Sequence, residues 1–309
     1  MSAAEGDMAD RFRGTLLGCL LGDAFGSILE GMSASDPRLE ARISRRRVER
    51  LPWRYTDDTE MALGVARSLV ACGGLNEAHL MDTWSDAYEP ARGYGKGMKL
   101  AIQAWRAGSS PAEAAWRDGS NGNGAAVRVV AAACLFHHDL LALDTAARQT
   151  AALTHRGPMG IEGCLLQARA LAAALRLPQD SALDATEFLA TFDWPAALAG
   201  NVGKIPALLG MPLDVAVAEL GNGVTADESV PLALVAFLRG QPSFEEVVIT
   251  AARCGGDVDT IAAMAGALAG AFVGAGKLLP LWLENAEGVE DAMGLADGLF
   301  ALWRSGSAG

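Results

Sequence analysis

The stretch Arg253–Ala271, RCGGDVDTIAAMAGALAGA, decides how the rest of the chain is read. From Ile261 to Val273 its residues are apolar on every side of a helix, so the helix must be surrounded by others rather than lie on a surface. That reading places Asp257 and Asp259 at the mouth of a central, buried helix. The uncharged run Thr260 to Gly276 is near the lower length limit for a membrane span, but it consists largely of Ala and Gly, which gain little from lipid. A core helix is the better reading. Working outward, Met61–Val70, Leu100–Trp105, Ala125–Leu135, Ile161–Leu175 and Val230–Leu238 are either apolar at three- and four-residue spacing or apolar throughout. Strict two-residue alternation is missing, Ala is plentiful, and β-branched residues are sparse in these runs. The expected fold is all-α, a compact multi-helix bundle in which frequent Gly and Ala let helix backbones approach closely.

The chain has 309 residues, 51% of them hydrophobic, and no Pro- or Ser-rich linker, so residues 1–309 read as a single domain. A net charge of −12 argues against a general nucleic-acid binder, which needs a basic face to follow phosphates. Cys19, Cys72, Cys134, Cys164 and Cys254 form no CxxC pair and sit in apolar or Gly-rich settings, which suits a reducing cytoplasm. Glu5, Asp7 and Asp10 stand where a signal peptide would be basic, and Asp23 interrupts the apolar stretch that follows. A cytoplasmic monomer with neither membrane nor nucleic-acid partner is expected.

Two acidic clusters open helical runs: Thr56-Asp57-Asp58-Thr59 and Gly256-Asp257-Val258-Asp259-Thr260. Each could be a helix cap, Asp57 with Glu60 and Asp257 with Thr260. One cap needs one side chain, however, and each cluster supplies a second Asp and a Thr beside very apolar sequence, where unpaired carboxylates are costly to bury. Four carboxylates and several hydroxyls match two hard divalent cations, Mg2+ or Mn2+. On this reading Thr56, Asp57 and Asp58 hold one ion and Asp257, Asp259 and Thr260 the other. TDDTE lacks the third Asp of a DDxxD motif, where Met61 stands. Lys277 is followed by Leu278, which rules out Walker A, and no GxSxG elbow occurs. Gly93–Gly97, Gly119–Gly124 and Gly221–Gly223 each precede a helical stretch; they are either phosphate cradles or ordinary Gly turns. His79, His137 and His138 show no partner spacing.

RGTLLGCLLGDAFGSILE at Arg13–Glu30, YTDDTEMALGVA at Tyr55–Ala66, GYGKG at Gly93 and GSNGNGAAVR at Gly119–Arg128 run in order along the chain. Thr154-His155, GNGVTADESVPLAL from Gly221 and the opening stretch complete the series. Together they resemble the ADP-ribosylglycohydrolase family of all-helical dimetal enzymes. The resemblance implies a hydrolase that removes ADP-ribose from a protein side chain or a related conjugate, with arginine, serine, nucleobase and ester linkages all open. It puts Thr56, Asp57, Asp58, Asp257, Asp259 and Thr260 on metal ligands and Glu30 on a catalytic acid or base. Gly119, Ser120, Asn121, Gly122, Asn123, Gly124 and His155 fall on ADP-ribose contacts, and Val224 on one near the adenine. Asn121 stands where some relatives carry an aromatic. Without the resemblance, Glu30 would read as a surface carboxylate and His155 as a hydrogen-bonded interior residue. Arg42, Arg45, Arg46, Arg47 and Arg50 form the one basic island, a solvated helix face or, by resemblance, a mobile flap over the cleft. A non-catalytic ADP-ribose-binding or toxin-immunity protein of the same fold is the competing function.

Overall fold

In a computed structural model, which describes residues 3–115, 119–178 and 183–306, the described chain forms 18 α-helices and two short 3-10 helices. Pairing between extended segments is limited to three isolated bridges among the described residues. The all-α class therefore holds. The periodic runs lie inside the helices Asp57–Cys72, Lys96–Arg106, Pro158–Arg176, Ala226–Gly240 and Val258–Val273. The run Ala125–Leu135 is instead two helices, Gly124–Arg128 and Val130–Phe136, separated at Val129. No described helix is long and apolar enough to cross a membrane.

Val258–Val273 is the central helix, buried from Val258 to Phe272. Its closest neighbour is the N-terminal helix Ala3–Gly26, and the reason lies in a glycine stripe. Gly14, Gly18, Gly22 and Gly26 recur every four residues and so share one helix face. A Cβ on Gly18 would stand 2.2 Å from the Gly266 carbonyl oxygen, and one on Gly270 would stand 1.8 Å from that of Gly14. The two backbones touch. Gly14 faces Gly270 whereas Gly26 faces Asp259, so the helices are antiparallel and the end of the first meets the start of the second. This crossing delivers Glu30, just past the N-terminal helix, to the second acidic motif.

The segment entering the first motif is pinned from the far end of the chain. Trp53 N–H donates to the Asn285 carbonyl at 2.8 Å, Glu287 N–H returns to the Trp53 carbonyl at 3.0 Å, and Tyr55 N–H reaches the Glu287 carboxylate at 3.1 Å. In Ala226–Gly240 the internal Pro231 cannot bond the Asp227 carbonyl, and the Asn201 amide takes that carbonyl at 2.9 Å.

Candidate active site

At the first motif, the Thr56 hydroxyl accepts the Asp58 N–H at 3.3 Å and caps the helix Asp57–Cys72. Beneath it lies Asp23, which is fully buried on the N-terminal helix. Its carboxylate accepts the N–H groups of Thr56 at 3.0 Å and Thr59 at 3.1 Å, and the Thr59 hydroxyl at 2.5 Å. Burial raises Asp23 to about 6 even though these hydrogen bonds favour its charged form.

The second motif is held by backbone. Gly255 and Gly256 adopt left-handed φ values of 63° and 71°. Gly256 N–H donates to the Met32 carbonyl at 2.8 Å, while its own carbonyl accepts the Gly31 N–H at 2.8 Å. Asp257 N–H donates to the Asn222 carbonyl at 2.9 Å. Two side-chain amides join in: Asn123 donates to the Asp257 carboxylate at 2.5 Å and to the Ser229 hydroxyl at 3.0 Å, and Asn222 donates to the Cys254 carbonyl at 2.8 Å.

The two motifs meet directly. The Thr260 hydroxyl donates to the Asp58 carboxylate at 2.8 Å across 202 positions of sequence. Carboxylate oxygens of Glu30, Asp257 and Asp259 lie within 4.8 Å of one another. Burial, followed by repulsion from neighbouring carboxylates, holds Asp58 and Asp259 well above the usual carboxylate range. Burial and the Asp23 charge lift Asp57 to about 7. Asp257 is raised by burial, and Glu30 by burial and Asp257. Carboxylates crowded in this way are relieved by protons or by a cation, and an all-oxygen donor set fits a hard divalent ion.

These groups form one wall of a cavity of about 390 Å³. The facing wall is built from glycine loops. Asn123 N–H donates to the Val224 carbonyl at 3.0 Å and Ala226 N–H to the Asn121 carbonyl at 2.9 Å, which fastens the loop 119–124 to the loop 221–225. Of the residues expected from the sequence, Glu30, Asp57, Asp58, Asp257, Asp259 and Thr260 reach the cavity, as do Ser120, Gly122, Asn123, Gly124, His155 and Val224. Thr56, Gly119 and Asn121 do not line it. The Thr56 hydroxyl accepts the helix-cap bond, the Asn121 side chain accepts the Met159 N–H at 3.1 Å, and Gly119 makes a left-handed turn, φ 76°, against Gly157. Asn123 lines the cavity with its amide turned toward Asp257.

None of the basic island's arginines lines this cavity. Arg46 is buried, stacks on Trp53 at 4.2 Å and pairs with Glu49 at 2.6 Å, while Arg47 pairs with Glu245 at 2.9 Å. These contacts anchor the helix Leu39–Val48 to the body of the protein. His137 and His138 pack against Trp303, and His79 contacts Ser68, all away from the cavity. Sequence reasoning missed Asp23 beneath the first motif, and Met61, Met98 and Arg128 in the cavity wall. For Asp23 the signal was available: it is a lone charge within an otherwise apolar helix run, and such a charge needs partners.

The fold and site define a class: an all-helical protein in which two acidic helix starts and a set of glycine loops enclose one oxygen-rich cavity. The ADP-ribosylglycohydrolase family profile matches residues 4–308, and the chain belongs to that family. It is 33% identical to "ADP-ribosylhydrolase ARH3" of Homo sapiens, the alignment covering 95% of this chain and 94% of that protein. It is 26% identical to "ADP-ribosylarginine hydrolase Tri1" of Pseudomonas putida (strain GB-1), covering 94% of this chain and 78% of that one. A solved structure titled "ADP-ribosylglycohydrolase-related protein complex" superposes with a TM-score of 0.74 at 28% identity, covering 96% of this chain and 99% of the other.

Proposed function

We propose that this protein hydrolyses the glycosidic bond between ADP-ribose and a protein side chain, arginine or serine, or a related ADP-ribose conjugate, with two divalent cations, Mg2+ or Mn2+. The observation that carries this reading is the 2.8 Å contact from Thr260 to Asp58, which merges motifs from opposite ends of the chain into one acidic wall. Thr56, Asp57 and Asp58 on one side, and Asp257, Asp259 and Thr260 on the other, would hold the cations, the Thr56 hydroxyl oxygen having a second lone pair beside the one that caps the helix. Bound there, the ions supply positive charge for ribose hydroxyls and lower the pKa of water.

The chain's own residues provide the rest. Glu30 sits at the rim, exposed yet beside Asp257 and Asp259, and its raised pKa suits proton transfer at the scissile bond. Cleavage at the anomeric carbon develops oxocarbenium character, and among the acidic groups of the wall Glu30 is the one left outside the proposed cation ligands to face it. Opposite, Gly122 and Gly124 leave the His155 ring uncovered, since a Cβ at either would stand 3.4 or 3.5 Å from it. A diphosphate could therefore approach the loop backbone and the imidazole closely. Incubation with arginine-linked, serine-linked and O-acetyl ADP-ribose, each with Mg2+, Mn2+ or chelator, tests the proposal. Release of free ADP-ribose from at least one substrate, abolished by chelator, is expected. No release from any substrate under either metal would overturn it.

A further inference from the structure

Arg128 is a buried cation in the cavity wall, 2% exposed, with its guanidinium over the Trp84 ring at 4.7 Å. It donates to the Thr150 carbonyl at 2.7 Å and to the Thr154 hydroxyl oxygen at 2.6 Å. That same hydroxyl lies 2.7 Å from Nδ1 of His155. A guanidinium can only donate, so at this contact Thr154 Oγ1 must accept. Thr154 is fully buried, and its one hydroxyl hydrogen has a single remaining partner among the described residues, His155 Nδ1. Were Nδ1 protonated, the Thr154 oxygen would accept twice and its own hydrogen would be stranded without water, which folded proteins avoid. Double protonation of the ring is opposed as well, because burial and the Arg128 charge push His155 down to about 3.

We infer that Arg128 and Thr154 are positioning residues that fix the tautomer of His155, leaving Nδ1 as acceptor and presenting the Nε2 proton to the cavity. The remaining ring nitrogen faces Gly122 and Gly124, the two positions without side chains to cover it. On the functional reading above, which this inference deepens, the Nε2 proton is a fixed donor to an anionic oxygen of the ADP-ribose diphosphate. Arg128 would act on the tautomer through the Thr154 hydroxyl and the imidazole ring.

Long-range 1H–15N spectra of the ligand-free, 15N-labelled protein read the tautomer, with the His155 signal identified by its loss in His155→Asn. A protonated Nε2 and an unprotonated Nδ1 are expected. Thr154→Val keeps the shape of the side chain but removes the relay, so it should give a mixed tautomer and weaken binding of free ADP-ribose about tenfold, the scale of one hydrogen bond to a charged group. Thr154→Ser should restore both. A protonated Nδ1 in the parent, or a tautomer unchanged in Thr154→Val, would overturn the inference. An unchanged affinity beside a shifted tautomer would overturn the part played by the Nε2 proton. Failure of the parent to bind ADP-ribose would sink the functional reading instead, because the tautomer is read without ligand.

Discussion

Asp57-Asp58 and Asp257-Asp259 arrive at one cavity on helix starts that are secured in different ways. The first start rests on a side chain: the buried Asp23 carboxylate gathers the N–H groups of Thr56 and Thr59. The second rests on main chain: Gly255 and Gly256 thread between Met32 and Asn222 in a conformation that L side chains rarely adopt. The difference teaches that similar chemistry can depend on a titratable anchor in one place and on backbone geometry in another. The two motifs should therefore fail differently.

The largest effect is expected where both motifs lose the shared wall. Asp58→Asn and Asp257→Asn should each lower kcat/KM for ADP-ribose release by about a thousandfold, the worth of several kcal/mol of charge stabilisation. Steady-state kinetics with saturating Mg2+ checks this, and a loss confined to one variant would break the equivalence of the motifs. Next comes Gly256→Ala. A Cβ there would stand 2.1 Å from the Asn222 carbonyl oxygen in a left-handed backbone, so urea unfolding should show a loss of about 3 kcal/mol. Asn123→Ala should cost only about 1 kcal/mol in the same assay. Equal losses would mean that the second motif, too, hangs on a side chain.

Asp23→Asn replaces an acceptor-only group with one that must aim hydrogens at N–H donors. A loss of about 2 kcal/mol is expected in urea unfolding, and calorimetry should show divalent-cation affinity weakened about tenfold. Unaltered cation binding would remove Asp23 as the anchor of the first motif. The smallest effect concerns pH. The folded-state value of Asp57, about 7, lies above the ordinary carboxylate value of about 4, so the folded protein holds this proton more tightly than the unfolded chain does. Stability from that proton is complete below the unfolded value and is lost as pH rises through about 7. In chelated protein, Asp57→Asn should therefore raise the melting temperature at pH 8 relative to the parent, with the gain shrinking toward pH 5. A gain independent of pH would show that Asp57 does not titrate in this range.

Much of the site was legible because its chemistry is written locally. Paired Asp at helix starts, a Thr beside each, and glycine clusters before helices are short patterns, and most of their residues do reach the cavity. Thr56, Gly119 and Asn121 stand outside the cavity lining for a common reason: a motif fixes which residues are near, while the direction of each side chain depends on which neighbour offers the better hydrogen bond. In the Arg42–Arg50 island, Arg42, Arg45 and Arg50 are exposed as a solvated helix face would have them, but helical charge patterning does not reveal that Arg46 lies over Trp53.

Taken alone, the sequence determined the helical class, the buried central helix and the two oxygen-donor motifs, since periodicity and residue chemistry act over a few positions. It also contained the glycine stripe from Gly14 to Gly26 that permits two backbones to touch. Only the tertiary structure decided that this contact is antiparallel, that Glu30 therefore meets Asp257 and Asp259, and that Asp23 supports Thr56 and Thr59. It alone decided that Arg128 reaches His155 through Thr154. Such pairings depend on distances across the folded chain, and no spacing along the sequence encodes them.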